Sequence, residues 1–313
     1  MTSQNTQKPQ RIWYHRIDLA DPRPRWWKPL AELGIGLLAY LLLNILLLAF
    51  LTLAVTAGFD PALGRDPAQL LLALDTESQV YHFSSPSVFL LVFLPVTLMF
   101  PALLLARLVV GPRPWGLINS VAGRMRWRWL ATCLGLATVL IALIPLLFDF
   151  LLGASYQLDP ALVGSQLTMM LVLILLVVPL QAYAEELVFR GYLMQTLGRW
   201  LKNPVWAIVL PAPLFMLGHT YSLWAQLSIL LVGLVTGYIT WRTGGLEAAI
   251  ALHVVNNLLA LLLGALGASD PFSQEVETPL IFVSSLLTQL VYLLAVVALA
   301  QRLKVQQTRL QRF

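Results

Sequence analysis

Eight stretches of this chain are apolar for about the length a bilayer demands of a helix, and no other feature restricts its fold as severely. They run over Leu30–Ala57, Val88–Val109, Leu130–Leu152, Leu167–Glu186, Val205–Leu217, Trp224–Trp241, Leu246–Leu266 and Leu280–Ala300. An α-helix rises about 1.5 Å per residue, so roughly 20 apolar residues cover the hydrocarbon core. The fifth run is short and carries Pro211 and Pro213, which predicts a kinked or broken span. A soluble core cannot hide this much apolar surface. Of 313 residues, 58% are hydrophobic and 11% charged, against about 25% charged in an ordinary soluble domain. The composition excludes a soluble enzyme, a disordered chain, and a collagen or disulfide scaffold. The predicted fold is all-α: a polytopic membrane protein of about eight transmembrane helices around an intramembrane polar cavity.

The few charges orient the spans. Lys8, Arg11, Arg16, Arg23, Arg25 and Lys28 precede the first span. Arg113, Arg124, Arg126 and Arg128 fill the second loop, Arg199 and Lys202 the fourth, Arg242 the sixth, and Lys304, Arg309 and Arg312 the tail. The intervening loops are poor in basic residues and hold Asp60, Asp66, Asp75, Glu77, Asp159, Asp270, Glu275 and Glu277. This alternation predicts eight spans with both termini cytoplasmic, by the positive-inside rule. In a bacterium the membrane would be the plasma membrane. No cleavable signal peptide opens the chain, whose first 28 residues are polar, basic and aromatic. Basic residues interleaved with Trp at Arg23–Lys28 and Arg124–Trp129 read as headgroup anchors, making membrane lipid a partner and nucleic acid none. Cys133 stands alone in an apolar run and reads as a small buried hydrophobe.

Charged side chains in the bilayer core cost about 2.5–3.5 kcal/mol each on insertion scales, so those that occur there are informative. Three places hold them: Gln181 to Arg190 in the fourth span, Phe215 to His219 at the end of the fifth, and His253 to Asn257 in the seventh. Residues four apart share a helix face, so Glu186 and Arg190 can pair, and His253 and Asn257 can enter one pocket. Glu185 points about 100° away from Glu186, free to face a cavity. Each place alone also reads blandly: a solvated carboxylate cap, an interfacial histidine, interhelical hydrogen-bond glue. Together, two histidines, two carboxylates and an amide are groups that activate water and hold an oxyanion. Glu185, His219 and His253 are equally a plausible ligand set for Zn²⁺ or another divalent metal, and a metal-free carboxylate mechanism stays open beside it. His15 and His82 lie in polar segments and read as surface residues.

The three places resemble, in order and spacing, the motifs of the CPBP family. That group comprises type II CAAX prenyl endopeptidases and bacteriocin-processing or immunity membrane proteins, also called the Abi family. The resemblance is carried by Glu185-Glu186-x-x-x-Arg190, Phe215-x-x-x-His219 and His253-x-x-x-Asn257, with Arg190-Gly191-Tyr192-Leu193 and Arg242-Thr243-Gly244-Gly245-Leu246 as matching context. It covers roughly Leu167–Leu266. The chain then divides into a basic and aromatic N-terminal segment (1–28), N-terminal spans with an interfacial loop (29–160), the CPBP-like core (161–270), and a last span with a basic tail (271–313). The resemblance implies an intramembrane endopeptidase acting on a peptide or lipid-anchored protein. Glu185 and His219 would activate water, His253 and Asn257 would stabilise the oxyanion, and Glu186 with Arg190 would organise the site. The competing readings are a non-catalytic scaffold or immunity-type protein and a proton-coupled transporter. The transporter would call for an inverted repeat, and no repeat is evident. Straight spans would put Glu185 and His219 at opposite faces, so a shared site requires a tilted or broken fifth span and is expected to open toward the cytoplasm.

Overall fold

The computed structural model describes residues 10–21, 25–75, 83–111, 114–151, 165–219, 221–268 and 279–311. His82 and the loop charges Lys8, Arg23, Glu77, Arg113, Asp159, Asp270, Glu275, Glu277 and Arg312 lie outside the described residues.

In a bilayer every backbone N–H and C=O must bond within its own segment, and helices satisfy that requirement. The helices are α1 (Lys28–Thr56), α2 (Ala68–Asp75), α3 (Pro86–Thr97), α4 (Met99–Val110), α5 (Gly116–Asn119), α6 (Trp127–Leu151) and α7 (Ser165–Glu186). After a π-helical stretch over Leu187–Leu193 come α8 (Met194–Leu201), α9 (Pro204–Val209), α10 (Pro211–Leu217), α11 (Leu223–Thr243), α12 (Glu247–Ala265) and α13 (Pro279–Arg302). α3 and α4 form one span interrupted at Leu98, where Pro101 lacks the N–H that would bond to Thr97. Two short strands, β1 (Gln10–Trp13) and β2 (Thr308–Gln311), pair antiparallel with Ile12 opposite Arg309.

Among the described residues, seven helices are long and apolar enough to cross a membrane; the fifth expected span, Pro204–Leu217, is too short. Pairing of β1 with β2 nevertheless puts the two ends of the chain at one face of the bundle. α9–α10, broken at Leu210, is a shorter apolar pair between α8 and α11. Gly233 and Gly237 of α11 let this broken pair approach closely: a Cβ on Gly233 would lie 2.9 Å from the Ala212 Cβ, and one on Gly237 3.1 Å from Ile208. The outer surface of α1, including Leu38, Leu41, Ile45 and Leu46, is exposed apolar side chain of the kind a bilayer covers. α12 is the most buried span and packs against α6, α7 and α11, helped by the small residues Ala248, Ala249 and Ala251.

The basic face is closed by a cap built from both chain ends. Tyr14 and Ile17, in a 3₁₀ segment over Tyr14–Ala20, are fully buried among Ile118, Leu187, Met194, Leu246 and Ile250. The Tyr14 hydroxyl donates to the Ile118 carbonyl, Arg199 binds Asp18 at 2.8 Å, and Trp13 stacks on Trp241 at 5.2 Å. His15, expected at the surface, is buried with Nε2 3.1 Å from the Lys202 carbonyl. Burial pushes its imidazole pKa below the usual histidine value. Two of the expected headgroup anchors are likewise structural. Lys28 is buried on Asp21 at 3.1 Å. Arg126 clamps Glu247 with Nε and Nη2 at 2.8 and 2.6 Å and donates through Nη1 to the Thr243 and Gln306 carbonyls. Such a fork is the geometry in which an Arg–carboxylate pair is strong. Trp26, Trp27 and Trp127 are exposed.

The cap seats on α8 through Gly198, where an added Cβ would lie 2.0 Å from the His15 carbonyl oxygen. Gly198→Ala is therefore expected to lift the N-terminal segment off α8 and lower stability by about 1–3 kcal/mol. Faster trypsin cleavage between Arg11 and Arg25, together with a lower melting midpoint, is the measurement that checks it.

Candidate active site

The site begins with a correction to the sequence boundary. Glu186 does not end the fourth span; the helix continues through the π-helical turns to Leu201. A π stretch inserts an extra residue per turn, a device found mostly at functional positions. Here it brings Gly191 against α5, where a Cβ would sit 2.8 Å from Ile118. On α12, His253 is six residues, about 9 Å, from Glu247 at the basic face, and twelve residues, about 18 Å, from Ala265. The site thus lies in the basic-face half of the membrane. Leu187, Ile250 and Val254 share one hydrophobic cluster with the cap residues Ile12, Tyr14 and Ile17.

Five of the six singled-out residues form one hydrogen-bonded cluster. Arg190 Nη1 donates to Glu186 Oε1 at 3.0 Å. The same oxygen is 2.9 Å from His253 Nδ1, and His253 Nε2 is 3.3 Å from Glu185 Oε2. One imidazole therefore spans both carboxylates. Gln181 donates to Glu185 Oε2 and accepts from Asn257 Nδ2 at 3.2 Å. Glu185, Glu186, Arg190, His253 and Gln181 are all buried.

His219 is half-buried and stands off this chain. Its Nδ1 is 2.9 Å from the Phe215 carbonyl. A carbonyl only accepts, so Nδ1 carries the proton and Nε2 of the neutral ring is an acceptor. Phe215 connects the parts: its ring is 4.9 Å from His219, 5.8 Å edge-on from His253, and 4.3 Å from the Arg190 guanidinium carbon. That cation–π contact is a second hold on Arg190 beside Glu186. His219 follows α10, beyond the break between α9 and α10.

A metal on Glu185, His219 and His253 does not fit this arrangement. Both nitrogens of His253 face carboxylate oxygens, at 3.3 and 2.9 Å. Among the described residues no three His, Cys, Asp or Glu side chains converge as ligands.

Residues 165–259, which contain every residue of this cluster, match the family model for type II CAAX prenyl endopeptidase Rce1-like proteins. Over these residues the chain resembles the CPBP family. Over 231 residues it is also 29% identical to the uncharacterized protein YyaK of Bacillus subtilis (strain 168), an alignment covering 72% of this chain and 71% of that protein. No solved structure matches. The family match starts at α7, so α1 to α6 and the cap lie outside it. The Gly244-Gly245 turn before the third motif has a local reason. Gly244 has φ +73°, and a Cβ there would lie 2.8 Å from the Gln306 and Gln307 carbonyls; Gly245 faces Arg126 and Glu247. The site residue missing from the sequence reading is Gln181. Its signal was available: it is a polar side chain inside a span, four residues before Glu185 and on the same face.

Proposed function

We propose that this multi-pass membrane protein is an intramembrane endopeptidase that hydrolyses a peptide bond in a membrane-associated peptide, of the CAAX type that names its family. The observation that carries the reading is the placement of His253 between Glu185 and Glu186 inside the bundle. Such a placement costs free energy and gives no evident packing gain, which marks it as a working site.

Glu185 is the general base. It takes a proton from water as the water oxygen adds to the scissile carbonyl carbon, and the carbonyl π electrons move to oxygen. His219, accepting through Nε2, holds the water's other hydrogen. Asn257 gives one amide N–H to Gln181, and its second is available to the oxyanion. When the tetrahedral intermediate collapses, the C–N bond breaks and Glu185 returns the proton to the leaving amine nitrogen. Glu186, fixed by Arg190, sets the orientation of His253, and His253 supports the charge on Glu185. With both its nitrogens on carboxylates, His253 suits this supporting role better than that of an oxyanion donor. The basic face is the cytoplasmic one, so the substrate is met in the cytoplasmic leaflet.

Purified protein in liposomes is expected to cleave a farnesylated, internally quenched CAAX peptide within its last four residues, with the cut bond read by mass spectrometry. Failure to cut this peptide, its unprenylated form and a panel of leader peptides would overturn the reading.

A further inference from the structure

We infer that Gln181 is a positioning residue, the link through which Asn257 on α12 and Glu185 on α7 act as one unit. The inference rests on the hydrolase reading and deepens it. A directed chain of donors runs across the two helices: Asn256 Nδ2 to Asn257 Oδ1 at 3.2 Å, Asn257 Nδ2 to Gln181 Oε1 at 3.2 Å, and Gln181 Nε2 to Glu185 Oε2. The order of the amide atoms is dictated by its ends. An ionised carboxylate accepts only, so Gln181 must present nitrogen to Glu185 and therefore oxygen to Asn257. Gln181 is buried, and its amide has partners at both ends.

The consequences for the two partners differ. At Glu185, Gln181 and His253 both converge on Oε2, which fixes the carboxylate's rotation and assigns proton transfer to its other oxygen. At Asn257, Gln181 occupies one of two amide hydrogens and so aims the second. Removing the link frees both side chains to turn, and small misplacements of reacting groups lower the rate without weakening substrate binding. Gln181 lies one turn from Glu185 on α7, so no change in backbone is needed for it to act.

The test compares Gln181→Met, which keeps length and loses the amide, with Gln181→Asn, which keeps the amide one methylene short. Gln181→Met is expected to lower kcat for the farnesylated peptide by about 10- to 100-fold with KM within about twofold. Gln181→Asn is expected to recover part of that loss. Combined with Asn257→Ala, Gln181→Met should add clearly less than its loss as a single variant, because the half of the link that aims Asn257 has already been cut; independent roles would multiply. Unchanged kcat in Gln181→Met, or fully multiplicative losses in the double variant, would overturn the inference. Wild-type protein and Glu185→Gln run alongside separate the two readings. If wild-type protein cuts no peptide, the hydrolase reading fails. The link is then read from the labelling rate of Glu185 by dicyclohexylcarbodiimide at fixed pH, which Gln181→Met should change several-fold, and an unchanged rate overturns it.

Discussion

Glu185→Gln is expected to abolish peptide cleavage, by about 10³-fold or more, while the protein remains folded. The substitution keeps the shape of the side chain and removes the capacity to take a proton from water, a contribution of about 10²–10⁴-fold for a positioned base. Glu185 touches Gln181 on its own helix and His253 on α12. An amide at position 185 can still bond to either neighbour, so melting and size-exclusion behaviour should match the wild type within a few degrees. Cleavage of the farnesylated peptide at the wild-type rate by this variant would rule out the mechanism. It would favour a scaffold role, in which binding of the peptide survives. Loss of cleavage together with loss of folding would instead make Glu185 structural. The melting measurement is therefore part of the prediction.

Much of this site was legible in the sequence because helical spacing is local. Glu186 and Arg190 pair across four residues as expected, and His253 and Asn257 share a face. The prolines of the fifth run announced a broken span, and α9–α10 is one. Long-range partners were not legible. Arg126 looks like any other arginine of a basic loop, and only the fold brings it to Glu247, 121 residues away. The same is true of Arg107, buried 3.8 Å from Glu32 inside the bundle. The end of the fourth span was misplaced because polar residues follow Glu186. Arg190, Gln195 and Arg199 resemble a loop in hydropathy, yet each is absorbed by a partner: Glu186, the Leu117 carbonyl and Asp18. The cap was hidden for a similar reason. The N-terminal segment is basic and aromatic, which suggests lipid contact. It folds inward because Tyr14 and Ile17 find an apolar seat and His15 and Asp18 find partners on either side of it.

Arg190→Leu is expected to cost about 3–5 kcal/mol of stability and all measurable cleavage. Arg190 is buried between Glu186 at 3.0 Å and the Phe215 ring at 4.3 Å, and Glu186 has no exposed surface. Removing the guanidinium leaves a carboxylate in a low-dielectric interior with the imidazole of His253 alone to answer its charge, the circumstance in which breaking a buried pair is most damaging. Arg190→Lys keeps the charge without the planar face that stacks on Phe215, so it should recover stability only in part. The double variant Glu186→Leu with Arg190→Leu separates stability from chemistry. Replacing both members of a buried pair by apolar groups of similar volume is often neutral or stabilising, so its melting midpoint should return toward that of the wild type. Cleavage should not return, because His253 Nδ1 has lost the oxygen that fixes its ring, and Glu185 is left beside an imidazole free to rotate. A double variant that is both stable and active would show that Glu186 and Arg190 serve the fold alone and that Glu185 needs no oriented partner.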